Sequence, residues 1–239
     1  MMLRLSPLGL SAALATAVAA TPAVAAERVF QVGSYERVRV DGPFEVRIVT
    51  GGSPNAKASG DRQLIERLVI AVNGPTLTVR LGNGGWGETP AGRVTQPPVI
   101  TLSTPRLTTL AISAGAKVSA TRMTAQRIDV SVVGSATLAV DRVDTDQLTA
   151  SLTGSGGMTL AGRANRAALV TDGPGTLDAS GLTVNDLIVQ LAGAGETTAA
   201  ARYTAQITST GLGRVTVLGN AKCVVKAVAG GPVICGRPR

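Results

Sequence analysis

Apolar and polar residues alternate in short stretches through the second half of the chain, and a small cluster containing glycine separates one stretch from the next. From about residue 107 onward this pattern recurs, as in Val130–Leu138 and Ile188–Glu196. Alternation of period two predicts β-strands with one buried face. The first glycines of successive copies follow one another at steps of 18 to 20 residues, at Gly115, Gly134, Gly154, Gly173, Gly193, Gly211 and Gly230. This constant spacing predicts one structural unit per repeat.

Short strands and glycine corners in a repeat of about 19 residues predict an all-β fold, a single-stranded parallel β-helix with one coil per repeat. The leucine-rich alternative needs a fixed leucine and asparagine ladder, and calcium-binding repeats need aspartate at a fixed offset; neither pattern occurs. Glycine pairs such as Gly193 and Gly195 superficially match phosphate-binding loops, but no helix signal follows them. They are predicted to be corners, where glycine supplies positive φ angles and lets coils approach closely. The preference of parallel crossovers predicts right-handed coils.

The chain divides into three predicted segments: a signal peptide at 1–26, a β-rich cap with the first coils at 27–105, and the repeat β-helix with its C-terminal cap at 106–239. The middle segment lacks the repeat pattern of the last. An uncovered end coil exposes strand edges, so a solenoid needs such caps.

The middle segment contains several local signals. Two strands are predicted at Tyr35–Val40 and Phe44–Ile48, where apolar and charged residues alternate. Asp61 is predicted to cap a short helix. A hairpin is predicted to join Leu68–Val72 to Leu77–Leu81 through an Asn-Gly-Pro turn.

The first 26 residues have the layout of a secretory signal peptide. Arg4 precedes an apolar stretch, Leu8–Ala20, and the small residues Val24–Ala26 precede Glu27. The apolar run of about 13 residues is shorter than the ~20 that cross a bilayer, and no later segment could span one as a helix. The sequence therefore predicts a protein exported through a signal peptide to the periplasm, the cell surface or the medium, with no transmembrane segment after signal removal.

Composition excludes several classes of function. The chain has no histidine, so a Ser-His-Asp triad, a Cys-His dyad and a His-ligated metal are ruled out. Its five aromatic residues are too few for stacking platforms on single-stranded nucleic acid. Without the leader, 22 basic residues oppose 15 acidic ones, but no Lys/Arg-rich run occurs. This balance favours anionic partners such as envelope polysaccharide over nucleic acid, and no metal or cofactor is predicted.

Two cysteines, Cys223 and Cys235, lie close together near the C-terminus. In an oxidising compartment an even number of nearby cysteines favours a disulfide. Two buried free thiols are the alternative.

The order of these signals resembles the bacterial head GIN domain family. The resemblance rests on the stretch Val38–Ile48, on Gly60 and Asp61 with Leu64, on the strand Leu77–Val79, and on the small-residue repeat that follows. It covers about residues 30–235. Members are exported proteins described as auto-transporter adhesins, and the resemblance implies a β-helical cell-envelope protein with no assigned catalytic residues.

Arginines recur at nearly the same place in successive repeats. Arg122, Arg142, Arg163 and Arg202 lie 7, 8, 9 and 9 residues after the first glycine of their repeats, which predicts one basic edge along the β-helix. Because stacked like charges repel, such an edge suits an anionic polymer lying along it. The alternative is a set of solvated arginines that deters pairing of strand edges.

Trp86, in the Gly82–Pro98 loop, is a second candidate for binding, since it could stack on a sugar ring. Equally, it could close the end of the solenoid as a plug.

The acidic residues give no sign of catalysis. They occupy scattered positions in the repeats, apart from a group at Asp141, Asp144 and Asp146 that the pattern places in a solvated corner. The sequence therefore favours a non-enzymatic envelope or surface protein, an adhesin for an anionic polymer or surface partner. The alternatives are a polysaccharide-degrading enzyme of the β-helix type, and a structural component that binds another envelope protein along its edge.

Overall fold

A computed structural model of the protein describes residues 26–82 and 97–236. This part of the chain is almost entirely β-structure, with one short helix. The elements in chain order are β1 (Ala26–Phe30), β2 (Arg37–Asp41), β3 (Glu45–Thr50), β4 (Asn55–Gly60), α1 (Arg62–Arg67), β5 (Leu68–Asn73), β6 (Thr76–Leu81), β7 (Val99–Thr104), β8 (Thr109–Ser113), β9 (Lys117–Ala120), β10 (Met123–Val133), β11 (Thr137–Thr153), β12 (Gly157–Asp172), β13 (Thr176–Ala192), β14 (Glu196–Ser209), β15 (Arg214–Gly219), β16 (Lys222–Ala227) and β17 (Val233–Cys235).

The strands stack in parallel on three faces of a β-solenoid of about six turns. The first face contains β8 and the strand segments that pair with it in successive coils, so that Leu110 lies opposite Val130. The second face contains β9 and its partners, with Lys117 opposite Thr137. The third face begins with Met123 opposite Val143. The predicted parallel β-helix is confirmed, and its right-handed sense stays a prediction.

The core is built from columns of inward-facing side chains. One column on the first face consists of residues that are each at most 2% exposed: Leu110, Val130, Ala150, Leu169, Val189 and Ile207. The hydroxyls of Thr171 and Thr197 are buried in the same core and share a 2.8 Å hydrogen bond, which compensates the loss of water at both groups.

The glycine clusters form the corners between the first and second faces. Gly154 has a φ of +112°, and a Cβ there would lie 2.7 Å from the carbonyl oxygen of Gly134 in the previous coil. Gly213 has no positive φ, but its Cβ would overlap the carbonyl oxygen of Gly195. Close packing of successive backbones therefore requires glycine at both kinds of position, and the prediction of corners is confirmed.

The N-terminal end is closed by antiparallel strands and by α1. β1 pairs with β4, β4 pairs with β7, and β5 pairs with β6, all antiparallel. Asp61 caps α1 as predicted, since its carboxylate accepts a 2.9 Å hydrogen bond from the Gln63 backbone N–H. The helix buries two of its own side chains, Leu64 and Ile65. The predicted hairpin is present as β5 and β6.

The first coils do not stack in sequence order. β2 lies between β6 and β8, and β3 lies between β7 and β9. The coil formed by β6 and β7 therefore sits outside the coil formed by β2 and β3, although it comes later in the chain. The sequence pattern did not predict this inversion, because alternation identifies strands but not the order in which they stack.

The last coil is shorter than the others. It consists of β16 on the first face, paired with β14, and β17 on the second, paired with β15, and the described residues contain no third-face strand in it. The structure joins Cys223, at the start of β16, to Cys235, at the end of β17, in a disulfide with a Cα separation of 6.4 Å. The bond thus joins the first-face strand, where Cys223 pairs with Ala205, to the second-face strand, where Cys235 pairs with Val217. We call the ring from Cys223 to Cys235 the terminal coil.

Two sequence predictions fall outside the described residues. Trp86 belongs to the segment 83–96, and all but the last residue of the predicted signal peptide precede β1. Within the described part of the chain, no helix is both long and apolar enough to cross a membrane.

Candidate binding site

The predicted arginine edge lies where the second face turns into the third, but its members do not form a straight column. Arg122 and Arg142 occupy equivalent positions in adjacent coils, since each immediately precedes one of the paired residues Met123 and Val143. Arg163 lies two positions further along the next coil, since it follows Gly162, which pairs with Val143. A register shift between Val140 and Val143 produces this displacement.

Three of the four arginines nevertheless line one surface depression. Arg142, Arg163 and Arg202 surround it together with Asp144 and Thr183. All three arginines are exposed, and Thr183 occupies the coil that has no arginine. We call Arg142, Arg163 and Arg202 the arginine cluster. Arg122 is not part of the lining.

Asp144 lies within the arginine edge and forms an ion pair with Arg163. The Nε and one terminal nitrogen of Arg163 each donate a 2.8 Å hydrogen bond, one to each carboxylate oxygen of Asp144. Both side chains remain accessible, with 76% of Arg163 and 38% of Asp144 exposed. Arginine typically binds a carboxylate through a bidentate pair of this geometry.

The same pair sets the electrostatics of the depression. The hydrogen bond from Arg163 is the main reason that the pKa of Asp144 lies below its ordinary value, and it raises the pKa of Arg163 in return. Partial burial of Asp144 opposes the lowering, whereas the positive charges of Arg163, Arg142 and Arg122 add to it. A carboxylate held ionised in this way is poorly suited to act as a general acid at neutral pH.

The role of Asp144 was missed in the sequence. The group Asp141, Asp144 and Asp146 was expected in a solvated corner. All three residues lie within β11; Asp141 and Asp146 are exposed, whereas Asp144 is half-buried beside Arg163. The spacing of the two residues could have indicated the pair, because Asp144 and Arg163 are 19 residues apart, which is the length of one coil.

A second depression adjoins the first on the third face and extends its polar surface. Its lining shares Asp144, Arg163 and Arg202 with the first and adds Asn165 and Asn185. The Asn185 amide nitrogen donates a 2.9 Å hydrogen bond to the Asn165 side-chain oxygen, so the two amides form a short ladder between coils. Amide and guanidinium groups together offer many hydrogen-bond donors to an oxygen-rich ligand.

Among the described residues, no group of three or more acidic or cysteine side chains is arranged to hold a metal ion. The two depressions along the arginine edge combine guanidinium and amide donors with the carboxylates of Asp144 and Asp146.

A family model described as "Putative auto-transporter adhesin, head GIN domain" matches residues 34–221. The chain belongs to this family. The resemblance drawn from the sequence is thereby confirmed. The family's description concerns adhesion and specifies no reaction.

Solved structures share the fold of this head GIN protein across 90% of its chain. An adhesin-like protein of Bacteroides fragilis, described as "a putative adhesin", has 18% identity and a TM-score of 0.79 over 97% of its own chain. A "putative adhesin" of Parabacteroides merdae has 18% identity and a TM-score of 0.70 over 96% of its chain. A "putative lipid binding protein" of Parabacteroides distasonis has 16% identity and a TM-score of 0.68 over 97% of its chain. No curated protein sequence matches the chain significantly.

Proposed function

We propose that this head GIN protein is an exported, non-enzymatic cell-envelope or surface protein that binds an anionic polymer along its arginine edge. The observation that supports the proposal is the gathering of Arg142, Arg163 and Arg202 around one depression, although they come from different coils. The family's description as adhesins supports the surface location, as does the layout of the first 26 residues.

The spacing of the coils suits an extended ligand. Arg142 and Arg202 lie three coils apart, which at about 4.8 Å per coil places their backbones roughly 14 Å apart along the solenoid axis. Several acidic groups of one polymer chain could therefore contact the cluster at once. Guanidinium groups bind carboxylate, sulfate and phosphate oxygens through paired hydrogen bonds, and the neighbouring asparagines offer further donors.

Co-sedimentation of the mature protein with polygalacturonate, a linear carboxylated polysaccharide, tests the proposal. We expect binding at low ionic strength that weakens as salt rises, because the arginines are exposed and salt screens exposed charges. Neutral dextran is the matched polymer without charge and should not bind.

The decisive variant is R142A/R163A/R202A, which should lose binding while keeping its fold. Its matched control is R37A/R62A/R214A, which removes the same charge from exposed positions elsewhere and should bind as the wild type does. If both triple variants lose binding equally, only net charge matters and the cluster is not a site. Binding that survives in R142A/R163A/R202A rejects the proposal outright.

A further inference from the structure

The terminal coil is the last coil that the structure describes, and its strands are largely exposed. β16 pairs with β14, and β17 pairs with β15. No described strand pairs with the other edge of either one. All six residues of β16 are exposed, whereas strands of earlier coils alternate between buried and exposed positions.

A core column continues uncovered into this coil. Val225 pairs with Ile207, the last member of the buried first-face column, yet Val225 is 46% exposed. Further large apolar side chains are exposed in the last coils, and five of the ten that the described residues expose are Leu212, Val224, Val225, Val228 and Ile234. A concentration of exposed apolar side chains at one end of a soluble protein marks an interaction surface.

Backbone groups at the free edge of β16 are available for pairing. The N–H of Val228 donates to the Ser209 carbonyl of β14 at 2.9 Å. Hydrogen-bonding direction alternates along a parallel strand, so the N–H and C=O groups of Cys223, Val225 and Ala227 point toward the free edge. An edge of this kind is a template for strand addition.

Charge at the edge identifies the kind of partner. Lys222 and Lys226 flank Val224 on the outer face of β16, and both are exposed. Pairing with β16 of a second copy would bring four lysines onto one face, in a protein of net charge +8, and such lysines commonly prevent self-association of edge strands. An acidic segment would instead be attracted to them.

We propose that β16 accepts an extended segment of an acidic partner protein as an added strand. Along that segment, acidic residues alternate with apolar ones. The acidic residues lie opposite Lys222 and Lys226, and an apolar residue covers Val225. The Cys223–Cys235 disulfide supports this role, since it closes the terminal coil into a ring and lowers the entropy cost of ordering the edge on binding.

Fluorescence anisotropy with a short capped peptide of alternating glutamate and valine tests this proposal. The matched probe replaces each glutamate with lysine. We expect the wild-type protein to bind the acidic peptide at least about tenfold more tightly than the basic one, because the two lysines attract one and repel the other. The variant K222E/K226E should reverse this preference.

A backbone variant separates strand addition from simple charge attraction. V225P removes an N–H that faces the free edge and leaves the ladder with β14 intact, as proline is tolerated on edge strands. It should abolish binding of both peptides, and its fold is checked by circular dichroism. The variant R142A/R163A/R202A should bind the acidic peptide as the wild type does, which makes this result independent of the proposed polymer site.

Several outcomes overturn the inference. Equal binding of the two peptides by the wild type removes its basis, as does an unchanged preference in K222E/K226E. Loss of acidic-peptide binding in R142A/R163A/R202A assigns that binding to the arginine cluster instead. Self-association of the wild type that V225P abolishes makes a second copy the occupant of β16.

Discussion

Arg163 grips Asp144 of the preceding coil through two hydrogen bonds of 2.8 Å, and this carboxylate lies among the arginines proposed to bind an anionic polymer. The solenoid aligns the two residues because they are one repeat apart. Asp144 thus acts as an internal counterion that stabilises the arginine cluster when no ligand is bound. A polymer carboxylate would have to compete with Asp144 for the Arg163 guanidinium.

Removing this competitor should strengthen binding. We expect D144N to bind polygalacturonate about three- to tenfold more tightly than the wild type, since it frees Arg163 and increases the local positive charge. Co-sedimentation at low salt measures the change. The matched control is D129N, which removes one exposed carboxylate from the first face and should change binding much less. If D144N and D129N strengthened binding by the same factor, the effect would come from net charge and not from the release of Arg163.

The same pair should make stability depend on pH at the acidic end. The pKa of Asp144 is lowered from 3.8 in the folded protein, so the pair stabilises the fold fully above that value. The contribution is lost as pH falls through the lowered pKa. We expect D144N to have a slightly lower urea midpoint than the wild type at neutral pH, the effect being small because the pair is exposed. The difference should shrink as the pH falls below 3.8. If the difference in urea midpoint between the two proteins stayed constant down to strongly acidic pH, ionisation of Asp144 would not contribute to stability.

The sequence predicted the architecture better than the site, for a physical reason. Alternating residues and regularly spaced glycines recur in every coil, so each copy reinforces the prediction of corners such as that at Gly154. The inverted order of the β2–β3 and β6–β7 coils depends on contacts that occur only once in the molecule, so no repeat in the sequence indicates it. The arginine edge was anticipated as a row because the offsets nearly coincide. The shift at Val140 and the pairing of Asp144 depend on register, which spacing from the first glycine does not give.

Gly213 should be intolerant of any side chain. A Cβ there would overlap the carbonyl oxygen of Gly195, and the Gly213 N–H donates a 3.0 Å hydrogen bond to Gly193, so neither backbone can withdraw without loss. We expect G213A to lower the free energy of unfolding by about 2 kcal/mol or more, as overpacking does in other cores. Urea denaturation measures the effect.

Gly33 provides the matched control for that substitution. It has no positive φ, and no atom lies within 4 Å of the position its Cβ would take. G33A should therefore be neutral or slightly stabilising, because alanine restricts the unfolded chain more than glycine does. Equal stability of G213A and G33A would show that the corner can move apart, and that close approach of the coils does not require glycine.

The disulfide should stabilise the terminal coil locally. It closes a ring of residues separated by 12 positions, which in the chain-entropy model contributes about 3 kcal/mol. Because each coil of a solenoid contacts only its neighbours, the loss in C223S/C235S should be confined mainly to the end. Hydrogen exchange should show faster exchange in β16 and β17 and unchanged protection in β11 and β12. Unchanged exchange in β16 would mean that backbone pairing with β14 holds the strand without the disulfide. Loss of protection through β11 would show that the solenoid unfolds as one cooperative unit from this end.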